Sequence, residues 1–342
     1  MKILIFGNFY EGNVAFEIEQ FFKRKSVEVY RFNRSNFYNL FKDKYLNKGL
    51  IFFFSSILEF VLNFTLIVKY IRHMPEVFFV VKGLNIYPRV LKYISNRSVC
   101  INWNLDDFLN SKNSNKNLIK TIKLYNLIIS PKIEIFDKYL LHGAKKLLYL
   151  ENFYFEKYFY PANFKKRYNI SFIGSWSKKR NKLINIIADK NIVHVFGNSW
   201  KLKNKNDRVI KHDAINPHKY IKVVGQSIIN LNFLTEENND TSNLRFFEIS
   251  ACRGLLLNEY SQRLERILSS KDETFYFKNI DEINCTIDEI LKLDKQIINN
   301  ISFAASKKIK DHSFENRCET ILIELQKIIE KRNTQKNYSK ND

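Results

Sequence analysis

No Cys-x-x-Cys pair occurs in this chain. Its four cysteines, Cys100, Cys252, Cys285 and Cys318, stand far apart and without pattern. That excludes a zinc or redox motif and leaves reduced, buried thiols in a cytosolic protein as the expectation. A secretory leader is missing as well. MKILIFGNF has one lysine and a short apolar run, with no long apolar core and no small-residue cleavage site, and it reads as a first buried strand. The residues after that strand do not spell Gly-x-Gly-x-x-Gly, so a nicotinamide-dinucleotide fingerprint is not expected. No short repeat is visible. Glycine and proline are few, 9 and 5 of 342 residues, while lysine, asparagine, isoleucine, phenylalanine and tyrosine crowd the chain. That is the composition AT-rich codons favour.

What is abundant is positive charge: 56 Lys and Arg against 35 Asp and Glu, a net +21 and a pI near 9.6. Such a balance invites nucleic acid or an anionic membrane surface, and codon drift accounts for it equally simply. Lysines are spread throughout with acids between them and no recognition motif, so nucleic acid is not expected as a partner. A basic nucleic-acid-binding protein stays as an alternative and would show steep salt dependence. One segment, residues 50–71 (LIFFFSSILEFVLNFTLIVKYI), nearly reaches bilayer length. Glu59 lies in its middle, where a carboxylate at mid-bilayer costs about 2.5–3.5 kcal/mol. The segment is therefore read as an apolar helix that packs on a sheet or lies in the membrane interface, with a strand or loop at its Phe-rich start.

Length and a 45% hydrophobic content suit two domains, each with its own core. Continuous apolar runs predict strands at 3–6, 27–32, 77–82, 98–103, 125–130 and 146–150, and again at 169–173, 192–196, 228–233 and 255–257. Helical spacing lies between most of them. Continuous strands alternating with helices imply parallel sheets covered on both faces, an α/β chain of two Rossmann-like halves. The predicted domains are 1–155 and 165–325, with 331–342 a disordered polar tail. In such sheets ligands bind beyond the carboxyl ends of the strands. Glycines collect there: Gly7 and Gly12 (with Asn13) after the first strand, Gly174 with Ser175, and Gly197 with Asn198. They allow close backbone approach to a ligand or simply make tight turns.

The stretch DTSNLRFFEISACRGLLLNEY (240–260) is the most informative. It predicts a helix capped by Ser242 or Asn243 and ending at Gly254 as its C′ residue. Arg245 in the first turn opposes the helix dipole unless an anion is bound there, where free N–H groups attract phosphate. Glu248 one turn deeper can accept from two vicinal hydroxyls, as a ribose presents. The alternative is an exposed Arg–Glu pair at i, i+3.

With these blocks in order, the chain resembles the CgeB-like (spore maturation protein type) glycosyltransferases of the GT-B fold over about residues 1–325. The resemblance rests on VCINWNLDD (99–107), FIGSWSKKR (172–180), VFGNSW (195–200), INLNF (229–233) and, most specifically, RFFEISACRGLLLNEY (245–260). It implies two Rossmann-like domains with parallel sheets facing a central cleft, and transfer of a sugar from a nucleoside-diphosphate donor to a glycan or glycolipid acceptor of the bacterial cell surface. No cofactor and no metal are implied; Asp106 and Asp107 are adjacent rather than spaced as Asp-x-Asp. Glu248 matches the ribose-binding second acid of a Glu-x7-Glu motif. Asp240 stands where its first acid meets the donor sugar. Arg180 matches a diphosphate-binding cation, and Ser175 replaces a second, whose charge Arg245 would restore. Gly12 and Asn13 fall on the acceptor side. Asp106 or Asp107 is the candidate base for the acceptor proton if the reaction inverts, or else a helix cap. His194 reads as structural, and His212 and His218 as loop residues that could flank the base. A nucleotide-sugar epimerase and a catalytically dead binding module of the same fold are the alternatives. A cytoplasmic location is expected, with peripheral contact on the inner membrane face through 50–71.

Overall fold

The computed structural model describes residues 1–38, 48–111, 113–200, 206–234 and 242–338. Contacts divide the chain into two units, Met1–Glu151 with Cys318–Asp342, and Asn152–Arg317.

The first unit holds β1 (Lys2–Gly7), α1 (Val14–Arg24), β2 (Glu28–Asn33), α2 (Ser35–Tyr38), α3 (Lys48–His73), β3 (Val77–Val81), α4 (Pro88–Ser95), β4 (Val99–Trp103), α5 (Lys116–Thr121), β5 (Leu127–Ser130), α6 (Phe136–Leu141) and β6 (Leu147–Tyr149). Its six strands are all parallel, in the order β2-β1-β3-β4-β5-β6. VFFVV in β3 and VCINW in β4 are buried at every position, as strands covered on both faces must be. Leu62, Leu66 and Tyr70 of α3 join one side of this core with Leu91 and Ile94 of α4. The Phe-rich start of the 50–71 segment is helical, and no helix among the described residues is long and apolar enough to cross a membrane.

The second unit holds β7 (Tyr168–Ile173), α7 (Lys178–Ala188), β8 (Val193–Phe196), β9 (Val209–His212), α8 (Pro217–Gln226), β10 (Ser227–Asn232), α9 (Leu244–Ala251), β11 (Leu256–Glu259), α10 (Gln262–Ile267), β12 (Phe275–Phe277), α11 (Ile280–Leu291) and α12 (Lys295–Lys308); α13 (Phe314–Tyr338) follows. The sheet is again fully parallel, ordered β12-β11-β10-β7-β8-β9. Strand order reverses between β7 and β10, so the carboxyl ends of those two strands are where this architecture places a ligand. Two strands escape the sequence pattern. VIKH of β9 carries two exposed residues and FYF of β12 is only three long, too short for an apolar run to stand out.

Two expectations are corrected. Gly254 is not the C′ residue of α9: Cys252 is the C-cap, so C′ falls on Arg253, at φ 54°. Gly254 is needed for space, because a methyl group there would meet Val224 Cγ1 at 2.4 Å and Asn230 Nδ2 at 2.9 Å. The predicted disorder from 331 is also not observed as far as Tyr338. The helix former-rich sequence KRNTQKNY has no proline or glycine to stop α13; residues 339–342 lie outside the described residues. The aromatic connector after Glu151 is packed: Phe153 and Phe155 meet Phe314 in tilted contacts at 5.1 and 4.8 Å between ring centres.

Candidate functional site

Three glycine- and asparagine-rich strand ends meet in the second unit. Gly174 ends β7 and Gly197 ends β8. A methyl on Gly197 would lie 2.1 Å from the Gly174 carbonyl oxygen, and that same oxygen accepts the Trp200 indole N–H at 2.8 Å. Neither backbone can therefore move apart from the other, and only glycine fits at 197. At the end of β10, Asn232 donates to Asn243 Oδ1 (3.0 Å) and Asn258 Oδ1 (2.7 Å), which ties the start of α9 to the ends of β10 and β11.

Asn243 is the cap of α9; its side chain accepts from the Phe246 N–H at 3.1 Å, as the Asn-Leu-Arg-Phe sequence predicts. Ser242, the other cap candidate, is buried and held by the Asn152 amide through its carbonyl (2.9 Å) and hydroxyl (3.0 Å). α7 begins the same way: the Ser177 hydroxyl accepts from the Arg180 N–H at 3.3 Å.

These caps bring Arg180 and Arg245 together. The Arg180 guanidinium donates to the Ser175 carbonyl at 3.0 Å and lies 5.5 Å over the Phe172 ring, with only 9% of the residue exposed. A methyl on Gly174 would lie 3.5 Å from the Arg245 guanidinium carbon. The Nε of each arginine is buried without a hydrogen-bond partner, and no carboxylate among the described residues forms an ion pair with either. Burial, then the neighbouring charge of Arg245, lowers the Arg180 pKa to about 10. Two cations side by side repel each other, by about 4 kcal/mol at 4 Å and an effective dielectric of about 20. An anion between them reverses that sign.

Glu248 lies one turn along α9. Burial raises its pKa, against the pull of Arg245 and the nearby Tyr220 hydroxyl. Tyr220, on α8, brings its buried hydroxyl to Glu248, and its own pKa is raised by burial and then by Glu248. So the two guanidinium groups and Glu248 form one linked cluster at the carboxyl edge of the sheet.

The remaining predicted residues fall as follows. Asp240 lies outside the described residues. Ser175 is exposed, its carbonyl engaged by Arg180. In the first unit, Asp106 forms an ion pair with Lys82 at 2.5 Å, and Asp107 Oδ1 accepts from the Leu109 N–H at 2.8 Å, closing a local turn. Lys82 and Gly83 both have positive φ, 68° and 86°, so the turn after β3 is held in an unusual shape beside that pair. Gly12, at φ 79°, donates to Glu17 Oε1 (3.0 Å), and Asn13 caps α1 by accepting from the Ala15 N–H (3.1 Å). His212 stacks on Phe196 at 4.2 Å between centres and shares a 3.0 Å hydrogen bond with His194; both imidazoles are kept below their ordinary pKa, first by burial.

Sequence reasoning missed two features. Tyr220 gave no signal, since nothing in an amphipathic helix marks one tyrosine as facing an acid 28 positions later. Lys179 and Glu259 form a part-buried pair at 2.6 Å that also grips Leu234 through its carbonyl (3.0 Å) and its N–H (3.0 Å). Glu259 stands at a strand end, and the rule that drew attention to Gly174 and Gly197 applied to it equally.

Residues 178–323 match a family model described as glycosyl transferase-like. A search of curated proteins by sequence finds no match. The fold has many solved counterparts. Sucrose-phosphate synthase from Thermosynechococcus elongatus superposes with a TM-score of 0.71 at 10% identity, over 96% of this chain and 99% of that one. The chain has the GT-B fold. Anabaena Alr3699/HepE, solved in complex with UDP, gives 0.61 at 10% identity over 96% and 100% of the two chains. The lipopolysaccharide outer core galactosyltransferase WaaB in its apo form gives 0.60 at 13% identity over 94% and 98%.

Proposed function

We propose that the chain is a glycosyltransferase that takes a sugar from a nucleoside diphosphate and passes it to a glycan or glycolipid of the cell surface, in the manner of the CgeB-like enzymes it resembles. The observation that carries this reading is the buried guanidinium of Arg180 next to the half-buried one of Arg245 beside Gly174, neither in an ion pair with a carboxylate among the described residues, at the strand-order switch of a GT-B fold. The glycosyl transferase-like match over 178–323 and the UDP in the HepE structure point the same way.

In this reading the diphosphate lies against Arg180, Arg245 and the first N–H groups of α9. Negative charge grows on the leaving phosphate as the glycosidic bond breaks, and fixed cations stabilise it without reorganisation. Because those cations belong to the protein, turnover persists in a metal chelator. Glu248 receives the ribose hydroxyls, and Asp240 the donor sugar. Asp106 or Asp107 takes the acceptor proton if the configuration inverts. The exposed face of α3, with Phe60, Phe64, Val68 and Ile71 each at least 49% exposed, supports peripheral membrane contact, which would bring the enzyme to a lipid-linked acceptor.

The test is a thermal-shift series against UDP, GDP and ADP. A ligand at 100 times its Kd stabilises the native state by about 2.7 kcal/mol. At least one nucleotide should raise the melting temperature. Arg180→Met should remove that rise while melting higher than the parent without ligand, since it deletes an unpaired buried charge. No shift with any diphosphate, or a shift untouched by Arg180→Met, overturns the reading.

A further inference from the structure

The first unit contains a second concentration of cations. Lys145 and Lys146, just before β6, face Lys327, Lys331 and Arg332 of α13 across a hollow of about 630 Å³. That volume is in the range of small-ligand sites. Its lining contains no acid. The nearest carboxylate, Glu324, is shared by Lys146 (2.6 Å) and Lys327 (2.8 Å), which hold it below the usual carboxylate range. Arg332 donates to the Asn96 carbonyl at 3.1 Å. No carboxylate among the described residues pairs with Lys145, Lys331 or Arg332.

Several other cations of this unit do have carboxylate partners: Lys25 with Glu319, Lys2 with Glu28, Lys82 with Asp106, and Lys23 and Arg31 both with buried Glu19. Here five cations from two distant chain segments converge on one hollow with one carboxylate between them. The hollow also lies at the amino ends of β5 and β6, beside Asn126 and Lys146, the edge opposite to where a GT-B sheet receives its substrates.

We propose that this hollow is a second phosphate-binding site, in the first unit and separate from the Arg180–Arg245 cluster of the second, and that its ligand carries two or more closely spaced phosphates or a phosphate headgroup. Several lysines and one arginine suit such a ligand: lysines act as mobile point charges and the arginine as a planar fork. The inference stands whether or not the donor reading does.

The experiment is lysine acetylation read by mass spectrometry on the intact protein, at about 150 mM salt, where screening over about 8 Å suppresses diffuse attraction. Sodium tripolyphosphate is one probe; phosphatidylglycerol vesicles, with phosphatidylcholine vesicles as control, are the other. A ligand at ten times its Kd leaves about a tenth of sites open, so acetylation of Lys145, Lys146 and Lys331 should fall about tenfold, while exposed Lys211 and Lys307 label as before. Protection by tripolyphosphate alone assigns a soluble ligand; protection by phosphatidylglycerol assigns a lipid headgroup. In the exposed double variant Lys145→Glu/Lys331→Glu, protection of Lys146 should vanish with the melting temperature unchanged. Failure of both probes to protect the three lysines, equal protection at Lys211 and Lys307, or protection of Lys146 that survives in the variant overturns the proposal.

Discussion

A buried arginine beside a second one makes sense only with something negative between them. Arg180 and Arg245 were legible in the sequence for different reasons, one by its motif position and one because a cation in the first turn of a helix is disfavoured without an anion. Glu248 was legible as an acid one turn further on, but its burial was not, because Tyr220 and the connector come from elsewhere in the chain. That burial has a measurable consequence. The Glu248 carboxyl holds its proton more tightly folded than unfolded, so its cost to stability is absent at acid pH, where both states are protonated. The cost grows as pH rises past the ordinary carboxylate range and is complete above the raised folded value. Glu248→Gln should therefore stabilise the free protein at neutral pH and leave its stability unchanged in acid, when urea midpoints are compared across pH. Stabilisation of equal size at both ends would mean that the carboxyl is not desolvated. The Lys179–Glu259 pair was not legible because its members are 80 positions apart and meet only once β7 and β11 share a sheet.

Most strands with continuous apolar residues were read correctly, and weakly apolar ones were not: β3 and β4 announce themselves, β9 and β12 do not, and the Phe-rich run expected as a strand or loop opens helix α3 instead. α3 shows the limit of periodicity. Its apolar residues outnumber those a single buried stripe requires. Leu62, Leu66 and Tyr70 enter the core, while Ile57, Phe60, Phe64, Val68 and Ile71 form a second, exposed row ending beside exposed Arg72. A row of that kind is costly in water and useful at a lipid interface. Replacing Phe60 and Phe64 with serine removes about 1.5–3 kcal/mol of apolar transfer for each ring that enters the interface. In flotation with phosphatidylglycerol vesicles the parent should rise with the lipid and the double variant should stay behind, with its melting temperature preserved. Equal flotation of both proteins would remove α3 from membrane contact.

At the scale of the whole chain, two parallel sheets were predictable because buried strands alternate with helices through 300 residues and the pattern restarts near residue 168. Where the last helix goes was not. Cys318, Ile321 and Leu325 are fully buried, and their spacing shows an apolar face without naming the core that receives it; contacts assign residues from Cys318 to the first unit. The net charge of +21 likewise could not be divided into matched and unmatched cations from sequence. In the structure Lys2, Lys23, Lys25, Arg31 and Lys82 of the first unit meet carboxylates, while the hollow beside α13 gathers five cations around one carboxylate and, in the second unit, the Arg180–Arg245 cluster pairs with none among the described residues. That second cluster is the centre of the account. The measurement that tests it most directly is an experimental structure of the chain with bound UDP. The account predicts the diphosphate within hydrogen-bonding distance of both the Arg180 and Arg245 guanidinium groups, with the ribose hydroxyls on Glu248. A diphosphate bound in the second unit away from these three side chains would contradict it.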